Sequence, residues 1–149
     1  IVNVIAPVLT REDDILIQSI FHPFEMFSKR RKGVSLGLNI EGPTYDSASY
    51  GTTGYVDASV VHDGDLLHLF ATNRHPAERA PIEFRVADCD IGALEDGELL
   101  TGDGPQAGNT WENCEEVIPR EWADVNLDDG GAQFELPPLS FAAMTFRLR

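Results

Sequence analysis

Residues 55–72 read YVDASVVHDGDLLHLFAT, and this stretch decides the class of fold. It contains two short apolar runs, residues 55–61 and 66–72, joined by the polar residues 62–65. The pair Asp63-Gly64 supplies the positive φ that a tight hairpin turn requires. The stretch therefore predicts two antiparallel strands connected by a short turn.

Further strands are expected on both sides of this hairpin. From Val34 to Ile40 apolar and polar residues alternate, which predicts a strand with one buried face and one face in water. Shorter apolar runs separated by Gly, Pro, Asp and Asn predict strands at 82–86, 97–100, 133–136 and 143–148. Residues 45–54 and 102–113 are interpreted as loops. Many short strands at close intervals are typical of an antiparallel β-sandwich.

The N-terminal part of the chain has a different pattern. Residues 1–5 are apolar and suit a strand buried on both faces of a parallel sheet. Residues 10–14 form a polar turn of the kind that caps a helix. Apolar residues then recur at three- and four-residue steps up to Phe27, and a cationic run at 29–32 precedes Gly33. This predicts a helix over residues 21–31, starting or kinked near Pro23.

The length and the net charge of the chain limit the classes of function that it can have. The chain has 149 residues, 42% of them hydrophobic, with 25 acidic and 11 basic side chains and a net charge of −14. This is one ordinary globular domain with no apolar run long enough to span a membrane. A strongly negative surface repels phosphates, which excludes nucleic acid and anionic membranes as expected partners.

The sequence predicts no metal or cofactor site. Cys89 and Cys114 are isolated, which favours reduced thiols in a cytoplasmic protein over a disulfide framework or a zinc site. The acidic segment 88–96 leaves a structural calcium ion as an open alternative. No phosphate-binding glycine loop is present in the sequence.

Catalytic groups are not evident either. The adjacent carboxylates Asp13-Asp14, Glu115-Glu116 and Asp128-Asp129 are interpreted as solvated loop residues. The histidines are scattered, so no nucleophilic triad is indicated. Trp111 and Trp122 flank an acidic loop, where they either pack against the fold or stack on sugar rings.

Several longer runs resemble a known family. These are VNVIAP at 2–7, QSIFHPF at 18–24, GPTYD at 42–46, YVDAS at 55–59, residues 63–74 and LPPLS at 136–140. In this order they resemble the C-terminal end of an α-L-arabinofuranosidase of glycoside hydrolase family 51. The resemblance covers nearly the whole chain and is weakest over residues 88–129.

The resemblance implies a mainly β fold, a jelly-roll-like antiparallel β-sandwich preceded by the last strand and helix of a (β/α)₈ barrel. Residues 1–32 would be the barrel remnant, and residues 33–149 the sandwich. The two catalytic glutamates of such a retaining enzyme would lie upstream of residue 1. Asp63, Glu83, Glu112 and Glu116 match no catalytic motif. No catalytic, substrate-binding or metal residue and no cofactor is therefore assigned, and the chain alone is predicted to be inactive.

The function implied is that of an accessory, structural domain of a cytoplasmic enzyme that releases terminal arabinofuranosyl units from arabinan or arabinoxylan oligosaccharides. Its partners would be its own catalytic barrel and further copies in a homo-oligomer, and the helix face carrying Phe21, Phe24 and Phe27 would be partly exposed. The alternative is a standalone carbohydrate-binding sandwich with Trp111, Trp122 or Tyr45 as stacking platforms.

Overall fold

The computed structural model describes residues 6–149, which contain one helix and thirteen strands. The helix, α1, spans Phe21–Lys29. The strands are β1 (Val8–Arg11), β2 (Asp14–Ile17), β3 (Val34–Leu36), β4 (Thr44–Ser47), β5 (Gly51–Gly54), β6 (Val56–Asp63), β7 (Leu66–Asn73), β8 (Ala80–Phe84), β9 (Ile91–Leu100), β10 (Arg120–Glu121), β11 (Val125–Asp128), β12 (Gly131–Leu136) and β13 (Ser140–Leu148). The strand expected at residues 1–5 lies outside the described residues.

Two antiparallel sheets form the sandwich, as predicted. The larger has the order β10-β9-β13-β7-β6-β3, and the smaller has the order β11-β12-β8. The predicted hairpin is confirmed: β6 pairs with β7, and Gly64 takes φ 65° in the turn. The strands expected at 82–86, 97–100, 133–136 and 143–148 are also confirmed as β8, β9, β12 and β13.

The main core lies between the two sheets. Side chains alternate along β7 and β13, so Leu67, Leu69 and Ala71 face inward together with Met144 and Phe146. The smaller sheet contributes Phe84, Phe134 and Leu136 from the opposite side.

The other face of the larger sheet carries α1. Met26 of the helix is buried with Phe70, Leu100, Val117 and Ala143 in a second core. The layers are therefore helix, six-stranded sheet and three-stranded sheet. Among residues 6–149, no helix is long and apolar enough to cross a membrane.

Two local predictions were wrong because hairpins formed where a cap and a loop were expected. Residues 10–14 do not cap a helix: β1 pairs with β2, and Glu12 adopts φ 53° in the turn between them. Residues 45–54 contain the paired strands β4 and β5, with Gly51 at φ 70°. Half of the β4 and β5 residues are exposed and none is buried, so hydrophobic alternation gave no signal.

The strand predicted at 34–40 was correct only in part. Only Val34–Leu36 pairs with β6, at the edge of the larger sheet. All four alternating apolar residues, Val34, Leu36, Leu38 and Ile40, are exposed, so the predicted buried face is absent. The strand ends at Leu36 and lies at the open edge of the larger sheet, where its side chains are covered only in part.

Candidate functional site

Helix α1 has two apolar faces. Met26 is fully buried against the sheet, whereas Phe24 is 65% exposed. Residues two apart on a helix point in nearly opposite directions, since each residue turns the helix by about 100°. Phe27 is also exposed and Phe21 is half-buried, which agrees with the partial exposure expected for the helix face that carries Phe21, Phe24 and Phe27. Ile20, directly before the helix, is exposed as well. One side of α1 therefore packs on the sandwich, and the other presents apolar surface to solvent.

The β1–β2 hairpin likewise has one buried face and one exposed apolar face. Leu16 is 2% exposed, but its neighbour Ile15 is 67% exposed, and Val8 is exposed as well. Because Val8 pairs with Ile17 in the antiparallel register, Val8 and Ile15 share one face of the hairpin. We refer to Val8, Ile15, Ile20 and Phe24 together as the open apolar surface.

A buried arginine fastens α1 to the larger sheet. Arg30 is only 3% exposed. Its Nη1 donates to Glu98 Oε2 at 2.7 Å and to the Met26 carbonyl oxygen at 3.2 Å, and its Nη2 donates to the Asp96 carboxylate. Lys29 Nζ donates to the second oxygen of Glu98 at 2.9 Å. Both carboxylates come from β9, so these charges join the end of the helix to one strand.

Arg30 also contacts the Thr145 hydroxyl group, which lies next to the imidazole ring of His68. Arg30 Nε donates to Thr145 Oγ1 at 3.2 Å, and Thr145 Oγ1 lies 3.0 Å from His68 Nδ1. Thr145 Oγ1 thus accepts from Arg30 and lies within hydrogen-bond distance of His68 Nδ1. We call Lys29, Arg30, His68, Asp96, Glu98 and Thr145 the Arg30 cluster.

Burial and charge shift the titration of this cluster. Burial lowers the pKa of His68, the nearby Arg30 charge lowers it further, and Asp63 opposes both. Burial alone would raise the pKa of Glu98, but hydrogen bonds from Lys29 and Arg30 bring it below its ordinary value. The hydrogen bond to Glu98 raises the pKa of Lys29. The cluster is therefore arranged to keep Glu98 charged and His68 neutral.

The long loop between β9 and β10 holds the hairpin. Asn109, which is buried, donates from Nδ2 to the Ile17 carbonyl oxygen at 3.0 Å and accepts from the Val117 amide at 2.8 Å. The guanidinium of Arg11 lies 4.5 Å from the centre of the Trp111 ring. The hairpin and α1 are thus both anchored on the outer side of the sandwich.

A groove of about 400 Å³ lies on the side of the larger sheet opposite to α1, between β8 and the segment 38–43. Its floor is the inner face of the larger sheet and consists of Val56, Ala58, Leu69 and Ala71. Polar groups gather at one end, where Asn73, His75 and Glu78 line it. We call this space the sandwich groove.

The three aromatic residues proposed as sugar platforms lie in separate places. Trp122 packs edge-on against Phe134 at 5.7 Å beside the main core, and Trp111 lies under Arg11. Tyr45 stacks on Tyr55 at 4.8 Å. The structure therefore does not bring these rings together into one binding surface.

The acidic residues do not converge on a metal either. Asp96 binds Arg30 and Glu95 binds Arg147, so two carboxylates of the possible calcium segment are paired with arginines. Within residues 6–149, no group of three or more His, Cys, Asp or Glu side chains is arranged to hold a metal ion. Cys89 and Cys114 are free thiols. The adjacent carboxylates at 13–14, 115–116 and 128–129 are exposed, as expected.

Sequence reasoning missed the Arg30 cluster and Asn109. Arg30 and Glu98 are separated by 68 positions, and the cationic run at 29–32 was interpreted only as the end of a helix. The one available signal was the contrast between this basic run and the acidic stretch from Glu83 onward, which did not identify the partners.

Known proteins give a consistent comparison. The model of the α-L-arabinofuranosidase C-terminal domain matches residues 1–140. The chain is 32% identical over 143 residues to an intracellular exo-α-(1→5)-L-arabinofuranosidase of Streptomyces lividans, a match that covers 95% of the chain and 22% of that relative. It is 31% identical over 147 residues to the protein of the same name from Halalkalibacterium halodurans, covering 95% of the chain and 28% of the relative.

Comparison with solved structures supports the same family. A family 51 α-L-arabinofuranosidase from Bifidobacterium longum superposes with a TM-score of 0.87 at 28% identity, covering 97% of this chain and 29% of that one. The chain thus spans about a quarter of the length of the curated relatives it matches. It belongs to the α-L-arabinofuranosidase C-terminal domain family and corresponds to the C-terminal portion of a family 51 arabinofuranosidase.

Proposed function

We propose that this chain is the accessory, structural domain of an exo-acting α-L-arabinofuranosidase and packs against a catalytic barrel in the same polypeptide. The observation that carries the proposal is the two-faced helix: Met26 is buried on the sandwich, while Phe24 on the opposite side is exposed. Exposed apolar patches of this kind mark interaction surfaces. The β1–β2 hairpin has the same arrangement, with Leu16 buried and Ile15 exposed.

The same division supports the proposed domain boundary. Residues 1–32 would be the final strand and helix of the barrel, and residues 33–149 the sandwich. Helix α1 would then belong to both bodies, with Met26 and Arg30 fixing it to the sandwich and Phe24 facing the barrel.

The reaction proposed for the complete enzyme is retaining hydrolysis of terminal arabinofuranosyl units in arabinan or arabinoxylan oligosaccharides. One carboxylate attacks the anomeric carbon and forms a glycosyl-enzyme intermediate. The other protonates the leaving oxygen and then activates water, at a separation of about 5–5.5 Å between the two. We assign both carboxylates to the barrel, so the chain alone would be inactive. The relatives are named intracellular, which supports a cytoplasmic location for the complete enzyme.

Release of arabinose tests this proposal directly. The 149-residue chain and the complete polypeptide that carries it are each incubated with α-(1→5)-linked arabinotriose. We expect arabinose only from the complete polypeptide, with retention of the anomeric configuration in the first product seen by NMR. Release by the 149-residue chain, or inversion by the complete enzyme, would overturn the assignment.

The alternative is a standalone carbohydrate-binding sandwich. Among residues 6–149, the contacts of the two tryptophans do not favour it, since Trp122 packs beside the core and Arg11 lies over the Trp111 ring. Titration of the chain with arabinotriose separates the two hypotheses. We expect no heat of binding, whereas millimolar or tighter binding that is lost in Trp111→Ala would support the alternative.

A further inference from the structure

The β1–β2 hairpin connects the two elements that we assign to the barrel. It follows residues 1–5, which the sequence predicts as the last barrel strand, and it precedes α1, the proposed last barrel helix. In a (β/α)₈ barrel, the connection from a strand to the next helix lies at the C-terminal end of the strands, where the active sites of such enzymes are built. The proposed boundary therefore places the hairpin at the catalytic end of the complete enzyme.

The tip of the hairpin lies at a distance from the end of that strand. From Val8 to Arg11, β1 extends over about 10 Å, and the turn at Glu12-Asp13 follows directly. The catalytic groups of barrel enzymes come from the ends of the strands. This distance exceeds the length of one sugar ring. The tip is therefore at the level of the sugar units that follow the terminal one.

A loop of the sandwich meets the hairpin close to this tip. The Arg11 guanidinium lies 4.5 Å from the centre of the Trp111 ring, and in the described part of the chain this ring, rather than a carboxylate, is its partner. Trp111 belongs to a tight turn, in which the Thr110 amide donates to the Asn113 carbonyl oxygen at 3.0 Å. The preceding residue, Asn109, donates to a carbonyl oxygen of β2 at 3.0 Å. The ring is therefore held in place by both the loop and the hairpin.

The side chains around the Trp111 ring suit a neutral sugar. Trp111 is half-buried, so part of the ring remains accessible to the C–H groups of a sugar face. The exposed guanidinium of Arg11 can donate to hydroxyl groups. The exposed carboxylates of Glu12, Asp13 and Glu112 adjoin these two residues in the sequence, where they can accept hydroxyl protons and would repel an anionic ligand.

We propose that Trp111 and Arg11 form part of the site that binds the leaving group of the oligosaccharide, with the Trp111 ring stacked on a sugar unit beyond the scissile bond. The proposal rests on the proposed function, because it requires a catalytic barrel on the other side of the hairpin. Trp111 makes the contact with the sugar, and Arg11 is a positioning residue that orients the ring. One stacking contact is too weak to hold an oligosaccharide alone, which agrees with the absence of binding expected for the 149-residue chain.

Two substrates with different leaving groups test this site in the complete polypeptide. Cleavage of α-(1→5)-linked arabinotriose releases arabinobiose as the leaving group, whereas methyl α-L-arabinofuranoside contains no second sugar. We expect Trp111→Ala to lower kcat/KM for arabinotriose by about three- to tenfold, as for the loss of one aromatic contact, and to change that for the methyl glycoside by less than about twofold. Trp111→Phe retains an aromatic ring and should recover most of the loss.

Tyr50→Ala is the matched control, because Tyr50 is an aromatic residue that is 86% exposed and lies in the turn between β4 and β5. It should change kcat/KM for neither substrate. An equal fall for both substrates in Trp111→Ala would show a structural role for the ring, and unchanged values for both would place the ring away from the substrate. Either result would overturn the proposal while leaving the proposed function intact. A complete polypeptide that cleaves neither substrate would overturn the proposed function, and this site with it.

Discussion

Arg30 and Glu98 are 68 residues apart in the sequence, and Arg30 Nη1 donates to Glu98 Oε2 at 2.7 Å. This contact joins the end of α1 to the C-terminal part of β9. Because Arg30 is buried, these carboxylates take the place of water as partners of its guanidinium group. The Arg30 cluster therefore holds α1, and with it Phe24 of the open apolar surface, against the larger sheet.

Loss of the Glu98 charge should loosen the helix. In Glu98→Gln the buried guanidinium keeps Asp96 but loses one charged partner, which should lower the free energy of unfolding by about 1–3 kcal/mol. Urea unfolding of the 149-residue chain measures this. The control is Glu95→Gln, whose partner Arg147 is on the surface, and it should be indistinguishable from the parent. Equal losses in both variants would contradict a special role for Arg30.

Acid should weaken the same attachment in two stages. The pKa of His68 is lowered from 6.5 and that of Glu98 from 4.5, so both groups bind fewer protons in the folded chain than in the unfolded chain. Stability must then fall as the pH falls, below about 6.5 through His68 and below about 4.5 through Glu98. Urea unfolding at intervals from pH 8 to about pH 3 checks this, and His68→Gln should remove the first stage only. A first stage that persists in His68→Gln would assign it to another group.

The sequence correctly predicted those elements whose pattern of residues lies within a few positions of the chain. The turn at Gly64 and the apolar alternation of β7 and β13 predicted the central strands of the sandwich, because turn chemistry and burial on one face act within a few residues. The hairpin of β4 and β5 was missed because exposed strands need no apolar face. The Arg30 cluster was missed because its members come from α1, β7, β9 and β13, and only the folded chain brings them together.

Substitutions on the open apolar surface should affect stability differently from substitutions on the buried side of α1. Phe24→Asp removes an exposed ring and should leave the stability of the 149-residue chain unchanged, while reducing any increase of its mass with concentration in light scattering. Met26→Ala creates a cavity and should cost about 2–5 kcal/mol. In the complete polypeptide, Phe24→Asp should also destabilise the enzyme. Unchanged stability there would argue against a barrel on this face.

The connection from α1 to β3 should tolerate no side chain at Gly33. Its φ is 116°, and a Cβ there would lie 2.1 Å from the His62 carbonyl oxygen of the neighbouring strand. Since the obstacle is backbone and the conformation strains any other residue, Gly33→Ala should lower the free energy of unfolding by about 1–3 kcal/mol. Gly37→Ala is the matched control, because no atom lies within 4 Å of its Cβ position. Urea unfolding of both variants should separate them clearly, and a stable Gly33→Ala would mean that β3 does not hold this register against β6.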